Sequence, residues 1–126
     1  MARILIIDDD ESFRVLLNQT LTEAGHTTVA AVNGFEALKL LRADPADLIL
    51  TDIMMPYGGL ATIRILHDEF PQIGVIAMTG GDAFRLDYAR NLGADQTLIK
   101  PFTAEQLTAA IASVLASPKP GARAPK

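Results

Sequence analysis

Arg3-Ile4-Leu5-Ile6-Ile7-Asp8-Asp9-Asp10 opens the chain with an apolar run that breaks off in three acids, and Asp47-Leu48-Ile49-Leu50-Thr51-Asp52 repeats the pattern. Ile4 to Ile7 and Leu48 to Leu50 are continuous rather than alternating. A strand with one wet face would alternate, so these segments read as parallel strands covered on both faces. Three further runs rich in Ile, Val, Leu and Thr complete the set: Thr27–Val32, Ile73–Thr79 and Asp95–Ile99, beside Arg3–Asp8 and Asp47–Asp52.

Between the strands the apolar period changes to 3.6. Phe13, Leu16, Leu17 and Leu21 mark one face of a first helix. Ile63, Leu66 and Phe70 mark the third, and Leu107, Ile111, Val114 and Leu115 the last. Gly25 and Gly93 stand where helices should stop, and Pro71 follows the third helix. Strands alternating with helices imply a parallel sheet with right-handed crossovers and helices on both faces, an α/β fold. Residues 1–116 are expected to form one domain, and 117–126, with three prolines and no large apolar residue, a disordered basic tail.

The 126 residues are 49% hydrophobic and 21% charged, ordinary for a globular chain that needs no staples. The chain has no cysteine, which excludes disulfides, thiolate metal sites and a cysteine nucleophile. No apolar stretch approaches the ~20 residues that span a bilayer, and the short first run ends in acids, unlike a secretion signal. A cytoplasmic protein without membrane insertion is therefore expected. Net charge is −4; without Lys119, Arg123 and Lys126, eight basic groups face fifteen acidic ones. Such a body is a poor partner for DNA phosphates, so no direct DNA binding is expected.

Ligands of open parallel sheets bind beyond the carboxyl ends of the strands. Those ends carry Asp8-Asp9-Asp10, Asp52, Thr79-Gly80-Gly81 and Lys100-Pro101. Each piece alone has a plain reading. An acid after a strand can cap the next helix, as Asp10 is expected to do. Asp52 can start a turn before Pro56, Thr79 can be a strand-end threonine, and Lys100 a solvated lysine. Their coincidence at one edge points further. Crowded carboxylates repel, and a hard divalent cation such as Mg2+ relieves that repulsion with oxygen ligands. A carboxylate can also attack phosphorus and form an aspartyl phosphate, with a hydroxyl and an ammonium stabilising the transferred group.

Ile-Leu-Ile-Ile-Asp-Asp-Asp, Asp-Leu-Ile-Leu-Thr-Asp-Ile-Met-Met-Pro, Val-Ile-Ala-Met-Thr-Gly and Gly-Ala-Asp-Gln-Thr-Leu-Ile-Lys-Pro-Phe, in this order, resemble the receiver domains of two-component response regulators. The resemblance runs from Arg3 to about Leu115. It implies a flavodoxin-like, doubly wound five-stranded sheet of order 2-1-3-4-5. It makes Asp52 the phosphoacceptor, Asp9 a direct Mg2+ ligand, and Asp8 a ligand acting through water. Met54 would lend a backbone carbonyl to the metal. Thr79 matches the switch hydroxyl and Lys100 the phosphoryl-binding lysine, and the peptide before Pro101 is expected to be cis. The implied function is a phosphorylatable signalling switch. It would accept a phosphoryl group from a sensor histidine kinase or histidine phosphotransfer protein and act on a downstream protein target as a stand-alone monomer, with no separate turnover substrate.

Three departures stand out. The family commonly has an aromatic switch residue where this chain has Thr97, so no ring can turn inward there. The loop Pro56-Tyr57-Gly58-Gly59-Leu60 is one residue shorter than the usual form. Gly80 lacks a Cβ, leaving the loop after Thr79 free to move. His26 and His67 are expected to serve ordinary surface or turn roles, Met54, Met55 and Met78 to pack, and Asp82 to cap the fourth helix. Other readings remain in view: a receiver cut from a longer regulator or hybrid kinase, a Mg2+-dependent phosphatase using an aspartyl nucleophile, and a flavin module. The phosphatase would need an acid where Met54 stands, and the flavin module a phosphate loop where the acids stand.

Overall fold

A computed structural model of the protein describes residues 2–53, 59–80 and 83–116. The order of elements is β1 (Arg3–Ile7), α1 (Glu11–Glu23), β2 (Thr27–Ala31), α2 (Gly34–Ala43), β3 (Leu48–Asp52), α3 (Gly59–Glu69), β4 (Gly74–Thr79), α4 (Ala83–Leu92), β5 (Gln96–Ile99) and α5 (Ala104–Ala116). The strands form one parallel sheet, β2-β1-β3-β4-β5. The expected tail, 117–126, lies outside the described residues.

The continuous apolar runs are resolved by the period of two. Leu5, Ile7, Ile49, Val75 and Ala77 face one side, where Ala37 and Leu41 of α2, Ile63 and Leu66 of α3 and Ala89 of α4 cover them. Ile4, Ile6, Leu48, Leu50, Ile76 and Met78 face the other, under Leu17 and Leu21 of α1 and Leu107, Ile111 and Val114 of α5. Both faces of β1, β3 and β4 are therefore dry, which removes any reason for polar alternation.

Two residues of the expected apolar helix faces lie at the edge of the core rather than in it. Leu16 is 55% exposed and Leu115 is 39% exposed. Leu17 and Leu21 already point into the sheet from α1, and Leu107, Ile111 and Val114, spaced i, i+4 and i+7, fill the seam of α5. The neighbours of these residues rotate past the stripe.

Five strand ends are one residue shorter than the sequence suggests, because local hydrogen bonds take over. Asp47 and Asp95 precede their strands and turn their carboxylates onto the Arg3 and Val75 amides, each at 2.8 Å. The Val32 amide donates to Glu36 Oε1 at 2.8 Å, so it belongs to the start of α2. The Ile73 amide closes a turn onto Phe70. Asp8 turns the chain by accepting the Asp10 amide at 2.9 Å.

The helix stops fall as expected. Gly25 (φ 95°) and Gly93 (φ 125°) carry the positive φ that ends α1 and α4. Gly93 is doubly constrained, since a Cβ there would lie 2.5 Å from the His67 ring of α3. No helix of the described residues is long and apolar enough to cross a membrane.

Candidate functional site

Parallel strands deliver their carboxyl ends to one edge, and there the acids collect. Asp8 leaves β1 with its amide bonded to Ala31 of β2 (3.1 Å), which anchors the turn to the sheet. Asp52 closes β3, whose five residues are all buried. Asp8, Asp9 and Asp52 offer carboxylate oxygens that lie within 4.8 Å of one another. Asp8 is fully buried, Asp52 nearly so, and Asp9 is exposed. Asp10 points away: it is the N-cap of α1 and accepts the Phe13 amide at 3.3 Å.

Lys100 completes the cluster. Its amide bonds to the Thr79 carbonyl at 2.7 Å, extending the β4–β5 ladder by one rung. The Lys100–Pro101 peptide is cis, as the resemblance implied. The Lys100 ammonium donates to Asp8 Oδ2 at 2.9 Å and to Asp52 Oδ2 at 3.0 Å, and its side chain is 19% exposed. Lys100 therefore neutralises part of the charge of a crowded acidic edge and joins the ends of β1 and β3.

The electrostatics follow from burial. Desolvation pushes the Asp8 carboxyl above its ordinary range, although the hydrogen bonds from Lys100 and from the Asp10 amide pull the other way. Burial also works against the Lys100 charge, but its hydrogen bonds to Asp8 and Asp52 outweigh that and hold the ammonium above its ordinary range.

Thr79, at the end of β4, is fully buried, and its Oγ1 has no hydrogen-bond partner among the described residues. A buried hydroxyl without a partner is costly, roughly 1–3 kcal/mol. Gly80 follows it and is exposed, with nothing within 4 Å of a Cβ built there. Thr97 sits on β5 opposite Ala77, and its Oγ1 accepts from the Arg90 guanidinium of α4 at 3.2 Å. Met54, Met55, Asp82 and the loop from Pro56 to Gly58 lie outside the described residues.

Met78 is buried in the core, as expected of a packing residue. The histidines stay apart from the acidic edge: His26 Nδ1 accepts the Ala2 amide at 3.1 Å, and His67 packs beside Gly93. Sequence reasoning overlooked two neighbours of the site. Arg14 reaches back from α1 and donates to the Asp8 carbonyl at 2.7 Å. Phe13, read only as part of an apolar helix face, lies under Lys100, with Nζ 4.0 Å from the ring centroid. Their places in the first turn of a helix that starts at the acidic triplet were the available signal.

The donor set is hard: carboxylate oxygens from three aspartates on two strand ends, two of them buried. Such a set suits a small divalent cation that prefers oxygen and keeps some of its water. An ammonium and an unpartnered hydroxyl at the same edge suit an anion.

The response regulator receiver domain family matches residues 4–112. The response regulator MprA of Mycobacterium avium is 34% identical over 120 residues, covering 94% of this chain and 53% of the relative. A probable transcriptional regulator, ycf27, of Cyanidium caldarium is 38% identical over 116 residues, covering 89% and 45%. The chain thus spans about half the length of these curated relatives. Among solved structures, a response regulator receiver domain protein from Clostridium thermocellum superposes with a TM-score of 0.86 at 30% identity, over 92% of this chain and 95% of that one. The chemotaxis protein CheY4 of Vibrio cholerae gives 0.83 at 27%, over 90% and 98%.

Proposed function

The chain belongs to the response regulator receiver domain family, and on that premise we propose that it is a phosphorylatable switch whose acceptor is Asp52. A phosphohistidine of a sensor kinase or phosphotransfer protein is the donor. The Asp52 carboxylate attacks phosphorus, an O–P bond forms, the N–P bond breaks, and the imidazole leaves with a proton. The observation that carries this reading is the convergence of the Lys100 ammonium on the Asp8 and Asp52 carboxylates, at 2.9 and 3.0 Å.

Asp8, Asp9 and Asp52 are the described residues that would hold Mg2+, with Met54 supplying a carbonyl. The metal would offset charge on the acceptor and on the incoming phosphoryl oxygens. Lys100 exchanges a carboxylate partner for a phosphoryl oxygen. Thr79 turns its unpartnered hydroxyl to another, which gives that buried group the hydrogen bond it lacks. The gain draws the end of β4 toward Asp52, and Gly80 offers no side chain to resist. Thr97 has no ring to follow the movement, so the change is read from backbone position along β4 and α4.

The output is a changed protein-binding surface, with no separate turnover substrate. Direct contact with DNA is no part of this reading for residues 1–116, whose formal charge is −7. A monomer fits an α5 whose one charged residue is Glu105.

The test is intact mass after treatment with acetyl phosphate and Mg2+. One phosphoryl group is expected on the wild type, and none on Asp52→Asn or without the metal. Equal labelling of Asp52→Asn would refute the assignment.

A further inference from the structure

The proposed role of Lys100 requires its ammonium to change anionic partners without leaving the site. Two carboxylates hold it on one side. On another lies the face of Phe13, with Nζ 4.0 Å from the ring centroid. That ring is itself wedged edge-on by Phe102, centroids 5.9 Å apart and planes at 82°. Both rings are partly buried against the core shared by α1 and α5.

The platform is built from the same turn that builds the acidic edge. Asp10 caps the Phe13 amide, and Arg14 ties the first turn of α1 to the Asp8 carbonyl at 2.7 Å. Phe102, two residues after Lys100 in the chain, packs edge-on against the Phe13 ring. The ring is thereby fixed with respect to both Asp8 and the Lys100 backbone.

An aromatic face attracts a cation through its quadrupole and makes no directional hydrogen bond. Two carboxylates fix an ammonium at chosen oxygens, whereas a ring lets it slide over a short range at little cost. The ring also takes the place of water on that side, and Lys100 interacts more strongly with anions where water is excluded. An aliphatic side chain of similar bulk would exclude water but would not attract the charge.

We propose that Phe13 is a positioning residue for phosphoryl transfer: its ring holds the Lys100 ammonium at the acceptor edge while Lys100 passes from a carboxylate to a phosphoryl oxygen. The inference rests on the reading of Lys100 given above. It adds a residue outside the acidic and strand-end motifs.

The experiment compares wild type, Phe13→Leu, Phe13→Trp and a protein with trifluorophenylalanine placed at position 13. Fluorination withdraws charge from the ring face with little change of shape. The readouts are the rate of phosphorylation by acetyl phosphate in saturating Mg2+, the affinity for beryllofluoride, and the affinity for Mg2+ alone. Phe13→Leu and the fluorinated protein should lose roughly three- to tenfold in rate and in beryllofluoride affinity, the range a partly buried cation–π contact supports. Phe13→Trp should stay near wild type, and Mg2+ affinity should be unchanged throughout.

A fluorinated protein that matches wild type overturns the proposal, whatever Phe13→Leu does, because the ring then only packs. Should Phe13→Leu fail to fold, the fluorinated protein still decides. A wild type that gains no phosphoryl mass overturns the reading of the site and this inference with it. That failure is distinguished by the silence of the parent protein as well as the variants.

Discussion

Lys100→Met removes the ammonium and keeps a stem of similar length, so it isolates the charge. In the wild type that charge stands 2.9 Å from Asp8 and 3.0 Å from Asp52. At an effective dielectric near 20, each contact supplies about 5–6 kcal/mol of gross attraction. Most of this offsets the desolvation of the three groups and the repulsion between the two carboxylates. Removing one partner of a buried ion pair costs about 3–5 kcal/mol, because the other is left charged and dry. The edge is open enough to leave Lys100 19% exposed, which places the loss at about 3 kcal/mol at neutral pH.

The loss has a ceiling that depends on pH. Burial already raises the Asp8 carboxyl, and Lys100 opposes the shift. Without Lys100 the Asp8 pKa rises further in the folded state only. The folded variant then binds more protons than the unfolded chain over the window between the two Asp8 pKa values, and its stability falls as pH rises through that window. Urea unfolding without divalent cations should therefore show a deficit that is largest near neutrality and above, and that shrinks toward the ordinary carboxylate range. Mg2+ should restore part of it by binding the folded state. A deficit below about 1 kcal/mol at neutral pH, flat with pH and indifferent to Mg2+, would refute the reasoning.

Thr79→Val removes a buried hydroxyl that has no partner among the described residues. The unphosphorylated protein should keep its stability or gain up to about 1 kcal/mol in urea melts, while beryllofluoride affinity falls. Asp9 is exposed and its side chain is not part of the core. Asp9→Ala should abolish Mg2+ binding by titration and leave the apo melting temperature unchanged or higher; retained affinity would remove Asp9 from the ligand set. Gly93→Ala forces a Cβ onto φ 125° and to within 2.5 Å of the His67 ring. It should cost about 2 kcal/mol or more in urea unfolding, and His67→Ala should recover little of that, because the Cβ of residue 67, 2.6 Å away, stays in place.

The acidic edge was legible because strand direction was, while the strand order came only with the family resemblance. Once Ile4–Ile7 and Leu48–Leu50 are read as strands dry on both faces, Asp8, Asp52, Thr79 and Lys100 must emerge at one end of the sheet. Strand limits were less legible, because Asp47 and Asp95 look like strand residues until their carboxylates are seen bonding to the Arg3 and Val75 amides. The helical stripe was read too wide at Leu16 and Leu115, where a 3.6 period cannot separate a core residue from its flank. Phe13 was read as an apolar helix residue, which it is. Its place in the first turn after the acidic triplet brings it near the edge, but its contact with Lys100 also depends on the angle at which α1 leaves the Asp10 cap.

The sheet divides the interior into two dry compartments with no side chain common to both. One, under α1 and α5, adjoins the Phe13 platform. The other, under α2, α3 and α4, adjoins the helix expected to move. Changes that loosen one compartment leave the packing of the other intact, so Leu21→Ala and Leu66→Ala should destabilise additively. The two compartments meet at β4, whose Val75 and Ala77 face one and whose Ile76 and Met78 face the other, so a shift of that strand is felt in both, whereas a substitution on a covering helix is felt in one.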